Sequence, residues 1–230
     1  TSPDIIRNAV LYLEQQKLYG TELFFESPLK KEALEDYGQW KNLNEVEVAV
    51  NSCQRCQLAH HSSGKIMGAG NKEVSVMVIA DTPAIVEKRD KQADLLVKIL
   101  AAIEFTPKDV YTSSILKCNP PDKRKPLKDE ISCCMPYLLA QIEIIAPKII
   151  LVLGEIAARA LLGNEKNLKE LRKENYHTIN NAFGYVTYHP ADLLSDNDPN
   201  QKMKKKMVWE DVQSLRRRYD KIVGDKPKWQ

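Results

Sequence analysis

The stretch VSVMVIADTP, residues 74–83, decides the fold of this chain, because an apolar strand pattern in it ends abruptly in polar turn residues. A short, almost uninterrupted apolar run such as Val74–Ala80 is typical of a strand buried on both faces of a parallel sheet. Asp81-Thr82-Pro83 then ends the strand and places a carboxylate just beyond it.

Further apolar runs alternate with helical patterns along the chain. Strands are also predicted over Val110–Leu116, Lys148–Leu153 and Tyr185–Tyr188. Apolar residues recur at helical spacing in five segments, which are 44–52, 94–103, 128–145, 155–162 and 201–222. This alternation predicts an α/β domain with a central, mostly parallel sheet flanked by helices.

The two ends of the chain are set apart from this domain, which we assign to residues 46–222. Residues 4–18 place their apolar side chains near one face of a predicted helix, and Gly20 and Pro28 follow in a segment of mixed charge. We therefore predict an N-terminal helical extension and linker over 1–45 and a C-terminal tail over 223–230.

Charge is nearly balanced, with 34 Lys and Arg against 31 Asp and Glu. This balance alone does not indicate a nucleic-acid partner, but local basic clusters can still bind phosphates. One such cluster contains Lys123 and Arg124, and another lies within 202–206. The run Arg216–Arg218 is interpreted as a solvated helix face.

The expected location is the cytoplasm, and we expect no membrane partner. The opening residues lack the pattern of a secretory signal. In addition, no apolar run approaches the ~20 residues that a membrane-spanning helix needs.

Five cysteines are the strongest chemical signal. Cys53 and Cys56 form a C-x-x-C pair, while Cys118 and Cys134 lie in two later stretches and Cys133 precedes Cys134 directly. In a cytosolic protein this pattern favours metal or redox chemistry. Iron–sulfur ligands, zinc ligands, and free or disulfide-bonded thiols are the alternatives, and the wide second spacing is unusual for a zinc ribbon.

Polar residues follow three of the predicted strands. Asp81-Thr82-Pro83 follows the first, Ser114 lies near the end of the second, and His189-Pro190 follows the fourth. Because ligands bind beyond the carboxyl ends of strands in parallel sheets, these residues predict a site at one sheet edge.

Collinear motifs between about Cys53 and Gln213 make the chain resemble the family 4 uracil-DNA glycosylases, the iron–sulfur branch of the uracil-DNA glycosylase superfamily. The motifs are C-x-x-C-x-L, G-x-G-N, D-V-Y…K-C-x-P-P, P-K-x-I-x-x-L-G, T-Y-H-P-A-x-L-L and V-W-E-D, beginning at residues 53, 68, 109, 147, 187 and 208. The resemblance implies a three-layer α/β/α sandwich. It also implies a [4Fe-4S] cluster, with zinc as a minor alternative, on Cys53, Cys56, Cys118 and Cys134.

The resemblance also implies roles for residues at the sheet edge. The counterpart of His189 in the family hydrogen-bonds the departing base and stabilises its developing negative charge, and Asp81 is placed to orient water. Leu193 and Leu194 are candidates for a wedge that enters the base stack. The implied substrate and DNA contacts are Thr82, Pro83, Ser114, Pro190, Leu193, Lys123 and Arg124.

Three departures from the family pattern affect the predicted pocket. The first motif of the family, G-E-A-P-G, reads A-D-T-P-A at 80–84, and the loop that follows is shorter and lacks the Phe that stacks on the base. Ser114 stands where the family has an Asn, whose amide can both donate to and accept from the edge of uracil. These changes predict weaker discrimination in favour of uracil.

Two functions therefore remain open from the sequence. The first is a base-excision repair enzyme that hydrolyses the N-glycosidic bond of a flipped base, which need not be uracil. The alternative is a catalytically degenerate DNA-binding or interaction protein that keeps the fold and the cluster. We expect a monomer whose partner is single- or double-stranded DNA.

Overall fold

The computed structural model describes residues 40–62, 64–87, 91–174, 176–195 and 197–226. The helix predicted over residues 4–18 lies outside these ranges. No helix within the described ranges combines the length and the apolar composition needed to cross a membrane.

The described residues form strands, α-helices and 3-10 helices. The strands are β1 Ala69–Gly70, β2 Val76–Ala80, β3 Val110–Ser114, β4 Ile149–Leu153, β5 His177–Ile179 and β6 Ala182–Thr187. The α-helices are α1 Leu43–Asn51, α2 Gln57–His61, α3 Lys91–Ala101, α4 Lys128–Ile145, α5 Glu155–Leu162, α6 Leu168–Lys173 and α7 Gln201–Ile222. The 3-10 helices are Pro83–Val86, Pro121–Lys123 and Pro190–Leu193.

The six strands form one sheet in the order β1-β3-β2-β4-β6-β5. β3, β2, β4 and β6 run parallel to one another, and the short strands β1 and β5 pair antiparallel at the two edges. The predicted mostly parallel sheet is therefore confirmed. The sequence reading missed β1, β5, α2 and α6, which are all too short to give a clear periodic pattern.

Alternating side chains of the central strands build a core on each side of the sheet. Ile150 and Val152 of β4 pack in one cluster with residues of α4 and α5, including Leu138. Ile149 and Leu151 pack on the opposite face, in a cluster with residues of α3 and α7. Helices thus cover both faces, which explains why these strands are apolar throughout.

Local signals set the ends of the long helix α4. The Glu130 side chain accepts a hydrogen bond from the backbone N–H of Leu127, at 2.8 Å, and caps the first turn. Ala146 ends the helix in a left-handed conformation with φ of 48°, and Pro147 follows. α4 and α5 have the bounds that the sequence predicts.

The interpretation of the arginine run in α7 as a solvated face holds for Arg217, which is exposed, but is wrong for Arg216 and applies only in part to the half-buried Arg218. Arg216 is 0% exposed and donates to the carbonyl oxygen of Ile103 at 2.7 Å, while its Nε atom bonds Asp220 at 2.9 Å. The guanidinium of Arg218 lies 4.4 Å from the ring centre of Phe183. Ile103 and Phe183 come from distant segments of the chain, so the local sequence did not indicate these contacts.

Candidate active site

Parallel strand pairing brings Asp81 and His189 to the same edge of the sheet. Asp81 directly follows β2, His189 comes two residues after β6, and β4 lies between these strands. The His189 Nε2 atom is 3.7 Å from Asp81 Oδ1, and the two side chains are 13% and 23% exposed. The pair is therefore shielded on most sides and still open to solvent.

His189 is held in a defined orientation. Its Nδ1 atom accepts a hydrogen bond from the backbone N–H of Ala191 at 3.2 Å, in the turn that Pro190 begins. Because Nδ1 serves as an acceptor, the neutral imidazole carries its proton on Nε2, the atom that faces Asp81. The ring is thus oriented to donate a hydrogen bond from Nε2.

Gly154 allows the histidine loop to approach the end of β4. Its backbone has a φ of 86°, and a Cβ atom placed there would lie 3.1 Å from His189 Cβ. Its N–H also donates to the Thr187 carbonyl oxygen at 2.8 Å. Glycine at this position therefore supports the placement of His189.

Asp81 is fixed by its own turn. Oδ1 accepts a hydrogen bond from the Thr82 backbone N–H at 2.9 Å. No residue of the described ranges hydrogen-bonds Oδ2, which is thus available to a water molecule. Pro83 then starts a 3-10 helix whose Ile85 is buried in the same apolar cluster as Leu193. The shortened segment after Asp81 is therefore anchored in the core, with Thr82 half-buried and Pro83 buried.

Ser114 lies beside Asp81, but its hydroxyl is engaged within the protein. The residue is 1% exposed, and its Oγ donates to the Leu116 carbonyl oxygen at 2.6 Å. The backbone N–H of Leu116 in turn donates to the Asp81 carbonyl oxygen at 3.1 Å. Ser114 thus stabilises the turn beside Asp81, and its hydroxyl proton is directed away from a ligand.

A buried polar network, which the sequence reading missed, lies behind this turn. Lys117 is 2% exposed, and its Nζ donates to Gln141 Oε1 at 2.6 Å and to Ser113 Oγ at 2.9 Å. Gln141 Nε2 donates to the Met67 carbonyl oxygen at 2.8 Å. Burial lowers the pKa of Lys117 to about 7. The sequence signal for this network was Lys117 in the K-C pair that follows the second strand, although a buried lysine is rare.

The predicted DNA contacts differ in how far they reach solvent. Pro190 and Leu193 are buried, whereas Leu194 is 38% exposed. Within the predicted wedge, Leu193 therefore packs in the core and Leu194 is the side chain that can meet a ligand.

The two basic candidates near Pro121 also differ. Lys123 is exposed. Arg124 forms a two-point ion pair with the buried Glu130, with Nη2 to Oε1 at 2.5 Å and Nη1 to Oε2 at 2.9 Å. Arg124 thus supports the start of α4, which limits its freedom to contact phosphate.

The four candidate cysteine ligands come from separate segments of the chain. Cys53 follows α1, Cys56 precedes α2, Cys118 follows β3 and Cys134 lies in α4. Burial, and to a lesser extent the proximity of Cys56, raises the pKa of both the Cys118 and the Cys134 thiol, the latter to about 12. The four cysteines thus lie near enough to influence one another electrostatically.

Polar groups lie near these sulfur atoms, with Ser62 beside Cys118, the Lys117 backbone beside Cys134 and Tyr137 beside Cys53. Cys133 instead donates to the Arg55 carbonyl oxygen at 3.3 Å.

In the described part of the chain, no three His, Cys, Asp or Glu side chains form a group that could hold one metal ion. The four candidate ligands are all thiols, and thiolates are the donors that hold iron–sulfur clusters.

Comparisons with known proteins agree with this architecture. The family model for the Uracil DNA glycosylase superfamily matches residues 67–213. The type-4 uracil-DNA glycosylase of Saccharolobus solfataricus is 33% identical over 181 residues, which cover 70% of this chain and 81% of that protein. The type-4 enzyme of Sulfurisphaera tokodaii is 29% identical over 191 residues, covering 76% and 84%.

A viral protein shares part of the same region. A DNA polymerase of Bacillus phage SP01 is 36% identical over 134 residues, which cover 55% of this chain and 14% of the polymerase. The matched family region contains the sheet and both residues of the Asp81–His189 pair. The chain belongs to the uracil DNA glycosylase superfamily, in its type-4 group.

Proposed function

We propose that this protein is a DNA glycosylase that hydrolyses the N-glycosidic bond of a nucleotide flipped out of DNA, as a step of base-excision repair. The observation that carries this proposal is the pairing of Asp81 and His189 across the sheet edge, with 3.7 Å between Oδ1 and Nε2. The reaction separates an electron-poor sugar from an anionic base. A carboxylate can stabilise the sugar, and an N–H donor close to it can stabilise the base.

The two side chains have complementary roles. As the bond between C1′ and the base nitrogen breaks, its electron pair moves to the base, and His189 Nε2–H donates a hydrogen bond to the oxygen where this charge collects. Asp81 orients a water molecule through Oδ2, and its negative charge stabilises the oxocarbenium-like sugar. The water oxygen then bonds to C1′, and its proton passes to the carboxylate.

The pocket favours a base that can be recognised without one side chain both donating and accepting hydrogen bonds. Ser114 Oγ has its proton directed to Leu116, so it can offer a ligand only an acceptor. An Asn at this position would offer both a donor and an acceptor. Recognition therefore relies more on Thr82 and Pro83 beside Asp81, and we propose that the preferred base need not be uracil.

We propose that DNA contacts the same edge of the sheet, where Leu194 reaches solvent beside His189 and Pro190. Lys123 supplies positive charge for the phosphates, and Leu193 and Arg124 support the loops from within. Either single- or double-stranded DNA suits this arrangement. The protein acts as a monomer in the cytoplasm, where bacterial DNA is found.

We further propose that Cys53, Cys56, Cys118 and Cys134 hold a [4Fe-4S] cluster. Such a cluster supplies a rigid covalent link between segments that are distant in sequence. These residues would fix the end of α1 and the start of α2 to β3 and α4. The 3-10 helix that carries Lys123 follows Cys118 closely, so the ligands also fix the position of this DNA-facing loop.

A second candidate function is DNA binding without base excision. It is favoured by the buried hydroxyl of Ser114 and by the absence of Phe between residues 80 and 94. In this alternative the fold and the cysteine set persist while the base pocket no longer accepts a nucleotide.

An excision assay separates the two candidates. Labelled single- and double-stranded oligonucleotides with one uracil, hypoxanthine, xanthine or mismatched thymine are incubated with excess protein, and abasic sites are cleaved with alkali. Excision of any of these bases supports the glycosylase. Salt-dependent binding without excision of any base supports the second candidate.

A further inference from the structure

A basic cleft lies away from the Asp81–His189 pair, on the side of the domain formed by α6, β6 and the second half of α7. It has a volume of about 440 Å³. Cations and tyrosines line most of it, namely Lys173, Tyr176, Tyr185, Arg217, Arg218 and Lys221. The function proposed above does not use this cleft.

The acidic side chains of the cleft are already paired. Asp211 forms a two-point ion pair with Arg172, with both bonds at 2.8 Å. Glu174 bonds Lys166 at 2.8 Å and lies 3.2 Å from His177 Nδ1. The cleft therefore carries a surplus of positive charge.

The remaining cations of the cleft lack carboxylate partners. Among the described residues, none places a carboxylate oxygen within 4.0 Å of the charged groups of Lys173, Arg217, Arg218 or Lys221. Four cations that share a concave surface repel one another in the empty protein. An anionic ligand would relieve this repulsion.

Arg218 is held in place before any ligand arrives. Its guanidinium lies 4.9 Å from the ring centre of Tyr176 and 4.4 Å from that of Phe183, and Nε donates to the Tyr185 hydroxyl at 3.3 Å. Neither terminal nitrogen of this side chain hydrogen-bonds within the described ranges. A planar guanidinium fixed on aromatic rings with unused donors is well suited to a phosphate group.

The spacing of the cations indicates more than one phosphate. Arg217, Arg218 and Lys221 lie on one side of α7, so these cations extend for about 6 Å along the helix axis. Lys173 also lines the cleft, at the end of α6. A row of this length suits two successive phosphates of a nucleic-acid strand better than a single phosphate.

We propose that this basic cleft binds the phosphate backbone of a single DNA strand at a second site, separate from the base pocket. The cleft is linked to the catalytic edge through Asp211, which accepts a hydrogen bond from Thr187 Oγ1 at 2.5 Å. Thr187 ends β6, two residues before His189. A strand bound in the cleft therefore lies against the elements that support the catalytic loop. The inference rests on the proposed function only in taking DNA as the ligand.

The test uses an unmodified single-stranded oligothymidine, which contains no uracil, hypoxanthine, xanthine or mismatched thymine, and measures its binding to the whole protein by fluorescence anisotropy at several salt concentrations. The double variant Arg217→Glu/Lys221→Glu is compared with Lys72→Glu/Lys108→Glu, which makes the same charge change at exposed positions beside the amino ends of β2 and β3. Circular dichroism checks that both variants are folded, and Arg217→Gln/Lys221→Gln serves as a milder version.

We expect the cleft variant to bind at least tenfold more weakly and to lose about 1.4 from the slope of log affinity against log salt, since each phosphate contact on a single strand contributes about 0.7. The control should remain within twofold of the unmodified protein. Equal weakening in both variants, or no weakening in the cleft variant, would overturn the proposal.

A competition measurement tests whether the cleft recognises a single phosphate instead of a strand. If inorganic phosphate displaces the oligonucleotide more strongly than chloride does at equal ionic strength, the cleft recognises a single phosphate, and the strand proposal is wrong. Because the assay measures binding and needs no excision, its result can be read even if the protein excises nothing. A cleft that does not bind DNA can therefore be distinguished from a protein that excises no base.

Discussion

His189 Nε2 lies 3.7 Å from Asp81 Oδ1, across the end of the strand that separates β2 from β6. This distance exceeds that of a normal hydrogen bond, so the two groups face each other without being locked together. The bond from Ala191 N–H to Nδ1 fixes the proton of the neutral ring on Nε2. A donor and a carboxylate are thus already oriented before DNA binds.

Gly154→Ala should weaken base excision by displacing His189. The backbone of Gly154 has φ of 86° and ψ of 168°, a region essentially restricted to glycine, so alanine should cost about 1–3 kcal/mol of folding stability. Its methyl group would also press on His189 Cβ. Stability is measured by thermal unfolding, and excision is measured below the melting temperature.

Gly224→Ala is the matched control for this substitution. Gly224 also has a positive φ, of 68°, but an added Cβ would make only an ordinary contact with the Asp220 carbonyl oxygen. We expect Gly224→Ala to lower stability and leave the excision rate of the folded protein unchanged. Equal loss of excision in both variants would contradict the positioning role of Gly154.

Replacement of a cluster cysteine should remove bound iron. We expect Cys118→Ser to lose most of the iron, since serine is a poor substitute for a thiolate ligand. Cys133→Ser should keep it, because the Cys133 thiol is bonded to the Arg55 carbonyl oxygen. Iron content and visible absorbance of anaerobically purified protein provide the readout. Full iron content in Cys118→Ser, or its loss in Cys133→Ser, would refute the proposed ligand set.

The Arg124–Glu130 pair should make stability depend on pH. The hydrogen bonds from Arg124 hold the pKa of Glu130 below its usual value. The stabilisation is therefore present above the unfolded pKa, about 4.3, and is lost as pH falls through the lower folded pKa. Arg124→Gln should melt at a lower temperature than the unmodified protein at pH 7, with the difference shrinking toward pH 3. A difference that does not vary with pH would argue against the pair.

Gln141→Leu should destabilise the fold by about 1–3 kcal/mol, since it leaves buried polar groups unsatisfied. The substitution removes the acceptor for Lys117 Nζ and the donor to the Met67 carbonyl oxygen. Gln201→Leu, at the half-buried start of α7, is a control in which the same exchange removes hydrogen bonds with Ser195 and Lys205 that water can replace, so stability should change by less than about 0.5 kcal/mol. Chemical denaturation measures both values, and similar values for the two variants would contradict the network.

The features best predicted from the sequence are those that depend on the periodic pattern of apolar residues. The apolar runs of β2, β3 and β4 identified the parallel sheet, and parallel pairing alone places Asp81 and His189 at one edge. These predictions succeeded because a strand buried on both faces leaves a strong compositional pattern.

Contacts between distant segments could not be predicted in the same way. The buried guanidinium of Arg216 donates to the carbonyl oxygen of Ile103, 113 residues away in the sequence, and the basic run itself could not identify this partner. The direction of the Ser114 hydroxyl depends on the local path of the backbone at Leu116. Lys117 was expected among the polar residues at the end of the second strand, but its burial was not predicted, because lysine is seldom buried.

The most direct test of the central claim compares the unmodified protein with His189→Gln in single-turnover excision across the panel of bases. The account predicts that the unmodified protein excises at least one base. Because His189 stabilises the charge of the departing base, His189→Gln should react about 100- to 1,000-fold more slowly at unchanged melting temperature. Excision of no base by the unmodified protein, or equal rates for both proteins, would contradict the account.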